Sequence, residues 1–201
     1  GWPQAPYLSK AEVDASFKRL VETVLDPRWQ HAVRLGFASQ NLFDLAWALE
    51  LAALEPNRGR IDIEMLEGMA PAQARAVRDE AGDVLLYAPV VREHDLAASI
   101  AYLTRRLDEN TSPDNFLRSL FTLRPGTPEW EDQAGRFVRA LDARQAVSTA
   151  THRTQDRSLP VAPADPEAPF VNAADTDWTR AANRAWIGHH LAGVVVPANY
   201  N

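Results

Sequence analysis

The residues best able to do chemistry lie in one stretch, residues 102–111, which reads YLTRRLDENT. On a helix, Tyr102, Arg105, Arg106 and Glu109 stand three, four and seven residues apart and share one face. Two adjacent guanidiniums beside a phenol make a receptor for a small carboxylate, because a guanidinium fork matches both carboxylate oxygens. The residue types also allow a plainer use. Arg105 and Glu109, four apart, can form a surface salt bridge, although arginine before glutamate is the weaker order for that pairing.

These side chains need elements to position them. Residues 11–25 carry Val13, Phe17, Leu20, Val21 and Val24 at helical spacing, with Ser9 and Glu12 placed as a capping box. Asp26-Pro27 stops that helix. Residues 32–38 read as a strand. Ser39 or Asn41 then caps a helix to about Leu54, with Leu42, Leu45, Ala46, Leu49 and Ala53 as its buried stripe. Residues 60–66 alternate as a strand does, and Pro71 opens a helix to about Ala81. Residues 84–88 form a third strand, and residues 96–110 the helix that carries the arginines. Beyond lie a short helix over 113–121, another from Thr127 to about Val147, a proline- and alanine-rich linker to Pro169, and a last helix over 178–191.

Strands that alternate with helices across short loops imply a parallel sheet. The expected fold class is therefore α/β. A doubly wound sheet and a (β/α)8 barrel both fit, and three strands make only part of a barrel. The chain has 201 residues, 46% of them hydrophobic, and a formal net charge of -6. That acidic balance argues against a nucleic-acid partner. The absence of cysteine excludes disulfides, thiolate metal sites and a cysteine nucleophile, and fits the cytosol. No Gly-x-Gly phosphate motif is present, and His189-His190 lacks further ligands at metal spacing. No spanning segment or secretory signal is visible, and a start at Gly1-Trp2-Pro3 suggests a piece of a longer product.

Several ordered pieces carry a resemblance: Phe37-Ala38-Ser39-Gln40-Asn41, then residues 64–69 (EMLEGM), then 86–90 (LYAPV), then the 102–110 helix. In this order they resemble the later part of the proline dehydrogenase barrel, most nearly that of the bifunctional proline utilization flavoenzymes. In those enzymes an L-glutamate gamma-semialdehyde dehydrogenase follows the barrel. The resemblance is good over residues 1–115 and looser to about Arg157. Phe170 to Arg184 looks like the lead-in to the second enzyme.

The resemblance implies the last three βα units of a (β/α)8 barrel over residues 1–124, a helical extension over 125–157 and a linker over 158–201. It implies FAD as cofactor, L-proline as substrate, 1-pyrroline-5-carboxylate as product and a quinone as electron acceptor. Arg105 and Arg106 would clamp the proline carboxylate, Tyr87 and Tyr102 would wall the ring, and Leu66 would line the pocket. Lys10, Ala38, Ser39, Gln40 and Asn41 would lie along FAD, with Glu109 and Phe116 nearby. A cytoplasmic protein follows, peripheral on the inner face of the cell membrane. Two departures stand out. Gln40 occupies a position where relatives usually carry histidine, and the family's Arg-x-Val-Lys-Gly strand is missing. Activity would therefore need the other half of the barrel. The aldehyde dehydrogenase cannot be this chain, which lacks the cysteine nucleophile.

Taken singly, the same residues have structural uses. Ser39 and Asn41 serve as caps, Lys10 as a surface lysine, Tyr87 as a strand-end packing residue and Met69 as filler. The competing reading is a non-catalytic remnant that binds a partner or a second copy through its open sheet edges. A barrel enzyme for another carboxylate is a third.

Overall fold

The computed structural model describes residues 4, 6–160, 163 and 165–194. Residues 1–3 and 5 of the expected barrel segment, and 161, 162, 164 and 195–201 of the expected linker, lie outside the described residues. The chain divides into two compact units, Ser9–Val147 and the pair of segments Gly1–Leu8 and Ser148–Asn201.

The larger unit opens with helix α1, Lys10–Leu25. The Ser9 hydroxyl accepts from the Glu12 amide at 3.2 Å, and the Glu12 carboxylate accepts from the Ser9 amide at 3.2 Å. This is the capping box expected from the spacing. The far end of α1 has no basic residue in its last turn. A distant arginine meets the free carbonyls there: Arg60 donates to the Leu25 and Val24 oxygens at 3.0 Å each. Its guanidinium is buried yet neutralises a helix end, where positive charge is favoured.

Strands β1 (Leu35–Ala38), β2 (Ile61–Leu66) and β3 (Leu85–Tyr87) form one parallel sheet in the order β1-β2-β3. Helices α2 (Leu42–Ala53) and α3 (Pro71–Ala81) join them. Asn41 caps α2 by accepting from the Phe43 amide at 3.0 Å. Replacing it with alanine is expected to cost about 1 kcal/mol in a urea melt. The sheet expected from residue 32 starts at Leu35, because the Ala32 and Val33 amides turn back onto the Trp29 carbonyl.

Phe37, Ile63 and Met65 point to one side of the sheet and build the core with Val21, Leu25, Leu45, Ala48 and Val77. Glu64 pairs in register with Ala38 and Leu85, and Leu66 with Tyr87. These residues therefore share the opposite face, the one a barrel turns inward. Gly36 lies on that face, and a Cβ there would collide with the Glu64 carboxylate.

Two buried stripes differ from the expected ones. On α1 the buried positions are Ala15, Lys18, Val21 and Leu25, while Leu20 stays 59% exposed. On α2 Ala48 is buried and Ala46 is exposed. Helix α6, Pro128–Ala143, packs along α1 and meets α2 through Phe43 and Trp47, while Ala48 is buried in the core with the sheet residues. Helix α4, Leu96–Glu109, and the short α5, Phe116–Leu120, complete the unit.

Among its described residues, the smaller unit holds one helix, α7, Ala181–Leu191, and otherwise irregular chain. A buried polar network organises it. Arg153 grips Asp177 through two hydrogen bonds of 2.8 Å, and Asp177 is 1% exposed. Asn183, fully buried, donates to the Gln155 side chain at 3.0 Å and the Asp177 carbonyl at 2.9 Å, and accepts from the Arg157 amide at 2.8 Å.

Candidate functional site

A cavity of about 320 Å³ opens where the C-terminal ends of β1 and β2 meet α1, α4, α5 and α6. That is the end of a βα sheet at which ligands bind. Its wall brings together eight of the residues singled out from sequence: Lys10, Ser39, Gln40, Asn41, Leu66, Arg106, Glu109 and Phe116. Ala38, Tyr87, Tyr102 and Arg105 are not on that wall.

Arg106 is the hub. Its guanidinium lies 5.0 Å over the Tyr102 ring, and Nη2 donates to Glu109 Oε1 at 2.5 Å. Tyr102 in turn meets Tyr87 edge-on, with ring centroids 6.2 Å apart. The helical spacing offered Glu109 to Arg105, but the structure gives it to Arg106. Arg105 is exposed and makes no ion pair or hydrogen bond among the described residues. The two arginines are thus unequal: one is set into the cavity wall, the other is exposed next to it in sequence.

Other members of the wall already have structural partners. Ser39 accepts from the Asn41 amide at 3.1 Å, Asn41 caps α2, and Lys10 pairs with Asp14 one turn on. Two polar atoms do not. Arg106 Nε and Gln40 Oε1 are buried and lack a protein partner among the described residues. Each would cost roughly 1–3 kcal/mol if left unmet. One is a donor and the other an acceptor, so a ligand that satisfies both carries an acceptor and a donor. FAD offers both through its carbonyl and phosphate oxygens and its hydroxyl and ring N–H groups.

The sequence reading missed Lys18, Asp44 and Gln73. Lys18 and Asp44 lie in the cavity wall and form an ion pair, with Lys18 only 2% exposed. The rings of Phe17, Trp47 and Phe137 surround the ammonium at 5.0–5.4 Å. Burial pushes the Asp44 carboxyl above its ordinary value, against the pull of Lys18. A lysine inside an amphipathic helix reads as a solvent residue, and nothing in the spacing marks it otherwise. Gln73, on α3, is buried behind Gln40.

The proline dehydrogenase profile matches residues 1–119, more than half of the sequence and all of the sheet. The chain belongs to the proline dehydrogenase family. It is also similar to the solved structure of proline utilization A (PutA) from Corynebacterium freiburgense, at 35% sequence identity and a TM-score of 0.69. That likeness covers 94% of this chain and 16% of the PutA chain. The fold is accordingly a partial (β/α)8-type barrel, as the resemblance implied; alternation alone had left a doubly wound sheet open. Among curated proteins no relative matches. No helix among the described residues is long and apolar enough to cross a membrane.

Proposed function

We propose that this chain forms one wall of the cofactor and substrate pocket of an enzyme that oxidises L-proline to 1-pyrroline-5-carboxylate, on the way from proline to glutamate. The family and the PutA likeness support proline oxidation in general, and the cavity supports the finer reading. Lys10, Ala38, Ser39, Gln40, Asn41, Glu109 and Phe116 would hold FAD. Bound there, FAD would supply the oxidising power for proline oxidation, with a quinone as the electron acceptor.

The chain's own residues do the rest by position. Arg106 and Arg105 hold the substrate carboxylate, which fixes the ring and aims one carbon. Tyr102 and Tyr87 stand against the ring and exclude water, and that dryness strengthens the ion pairing. Leu66 gives the ring an apolar contact. The partners proposed are L-proline, the quinone, the complementary barrel units and an aldehyde dehydrogenase domain that consumes the product. The setting proposed is the cytoplasm, with peripheral contact at the inner face of the cell membrane.

The observation that carries this reading is Arg106: in the cavity wall, stacked on Tyr102, with Nε unmet. The test is flavin absorbance of the purified chain, alone and mixed with a chain carrying the complementary βα units. Flavin uptake in the mixture is expected, and none in either sample would sink the proposal. In the loaded mixture, Arg106→Met and Arg105→Met should each weaken proline binding by about 2 kcal/mol or more. Unchanged affinity in both would refute the clamp.

A second reading rests on a different observation. Leu96, Ile100, Leu103 and Leu107 make an apolar stripe on α4, each 36–60% exposed, and the three residues of β3 are 48–61% exposed. A non-catalytic module that binds a partner or a second copy would use that face. Concentration-dependent association without flavin uptake favours it.

A further inference from the structure

We propose that Gln73 is a positioning residue: it holds the loop between β1 and α2 so that the Gln40 side-chain oxygen is presented to a hydrogen-bond donor of the bound flavin. This rests on the FAD reading above and adds a residue that does not itself line the cavity.

A glutamine only 7% exposed is uncommon and calls for a reason. Gln73 Nε2 donates to the Gln40 main-chain oxygen at 2.7 Å. Gln40 Nε2 donates to the Leu66 main-chain oxygen at 3.3 Å. Both partners are carbonyls, which only accept. Each amide must therefore turn its nitrogen toward its partner, and the orientation of each oxygen is set.

The consequence is visible in both residues. Gln40 Oε1 and Gln73 Oε1 are buried and unpaired among the described residues. For Gln73 the free oxygen is the cost of donating to the loop. For Gln40, in the cavity wall, it is an acceptor aligned for use. The loop is held from two sides, by α3 through Gln73 and by the end of β2 through Leu66. A ligand reaching this point must offer an O–H or N–H, and a carboxylate or phosphate oxygen is repelled. A histidine here could switch between donor and acceptor. Gln40, locked as it is, can only accept.

Two variants test this. Gln73→Leu keeps the bulk and removes the donor. Gln73→Glu keeps the shape and donates only when protonated. Hydrogen exchange at the Asn41 and Phe43 amides reports the loop without flavin, and FAD titration reports presentation. Gln73→Leu should speed exchange at those amides and weaken FAD binding, each by about tenfold, with β2 unchanged. Gln73→Glu should behave like it at about pH 8 and return toward the native protein at about pH 5, where the buried carboxyl regains its proton. Unchanged exchange in Gln73→Leu, faster exchange spread evenly over β2, or faster loop exchange with unaltered FAD affinity would each overturn the proposal. If the native chain takes up no FAD, alone or completed, the flavin reading fails by itself, and the exchange result alone decides whether Gln73 positions the loop.

Discussion

Lys18→Ala and Asp44→Ala should each destabilise the larger unit by about 3–5 kcal/mol in a urea melt, the cost of leaving one member of a buried ion pair alone. The pair is deeply set, with side-chain exposures of 2% and 13%. Three aromatic rings surround the ammonium, so Lys18→Ala also opens space among Phe17, Trp47 and Phe137. The partners differ in how they bear isolation. Burial already pushes the Asp44 carboxyl above 3.8, so without Lys18 it can discard its charge by taking a proton. The sign follows from that direction. A raised carboxyl contributes stability that is fully present below pH 3.8 and is lost as pH rises through its folded value. The Lys18→Ala penalty should therefore shrink in acid. A double replacement, Lys18→Met with Asp44→Leu, fills the same space without charge and should recover most of the loss. Single variants that melt within about 1 kcal/mol of the native chain would show that the pair carries no such weight.

How much of this was legible in the sequence follows from the range of the interactions involved. The α1 capping box, the Asn41 cap and the Pro71 and Pro128 helix starts depend on neighbours within four residues, and each is where the spacing put it. The parallel direction of the strands followed from alternation with short connections, while their order did not. The buried faces of α1 and α2 were not fully legible, because they answer to the sheet and to α6, contacts made far along the chain. Arg60 on the end of α1 and Gln73 behind Gln40 are tertiary contacts made by side chains that read as surface polar residues. The site splits the same way. Helical spacing put Tyr102, Arg106 and Glu109 together, while which arginine takes Glu109 depended on rotamers. Lys18 was illegible because only its acidic and aromatic neighbours, from α2 and α6, make its burial tolerable.

Asn183→Ala should unfold much of the smaller unit, and this is the sharpest test that residues 148–191 are folded chain rather than spacer. Composition suggested an extended linker over part of this stretch, since prolines and alanines offer little core. The described residues hold their shape with polar contacts instead. Asn183 is fully buried and joins three segments: Gln155 and the Arg157 amide from one, the Asp177 carbonyl from another, and its own helix α7. Truncation strands the Arg157 amide, at roughly 1–3 kcal/mol for a buried group left unmet, and removes one of two donors from both the Gln155 oxygen and the Asp177 carbonyl, which keep the Asp177 and Arg180 amides. With one helix among its described residues, the unit has few apolar contacts to absorb that. Acid should attack the same network. Burial alone would raise the Asp177 carboxyl, but hydrogen bonds from Thr179 and Arg153 outweigh it and hold it below 3.8. A depressed carboxyl contributes stability that is present above pH 3.8 and is lost as pH falls through its folded value, the opposite slope to Asp44. The two units should therefore separate in an acid titration followed by hydrogen exchange, with the amides of α7 losing protection while β2 retains it. Uniform protection across residues 153–191 in Asn183→Ala would show that the network is decoration on a segment held by other means.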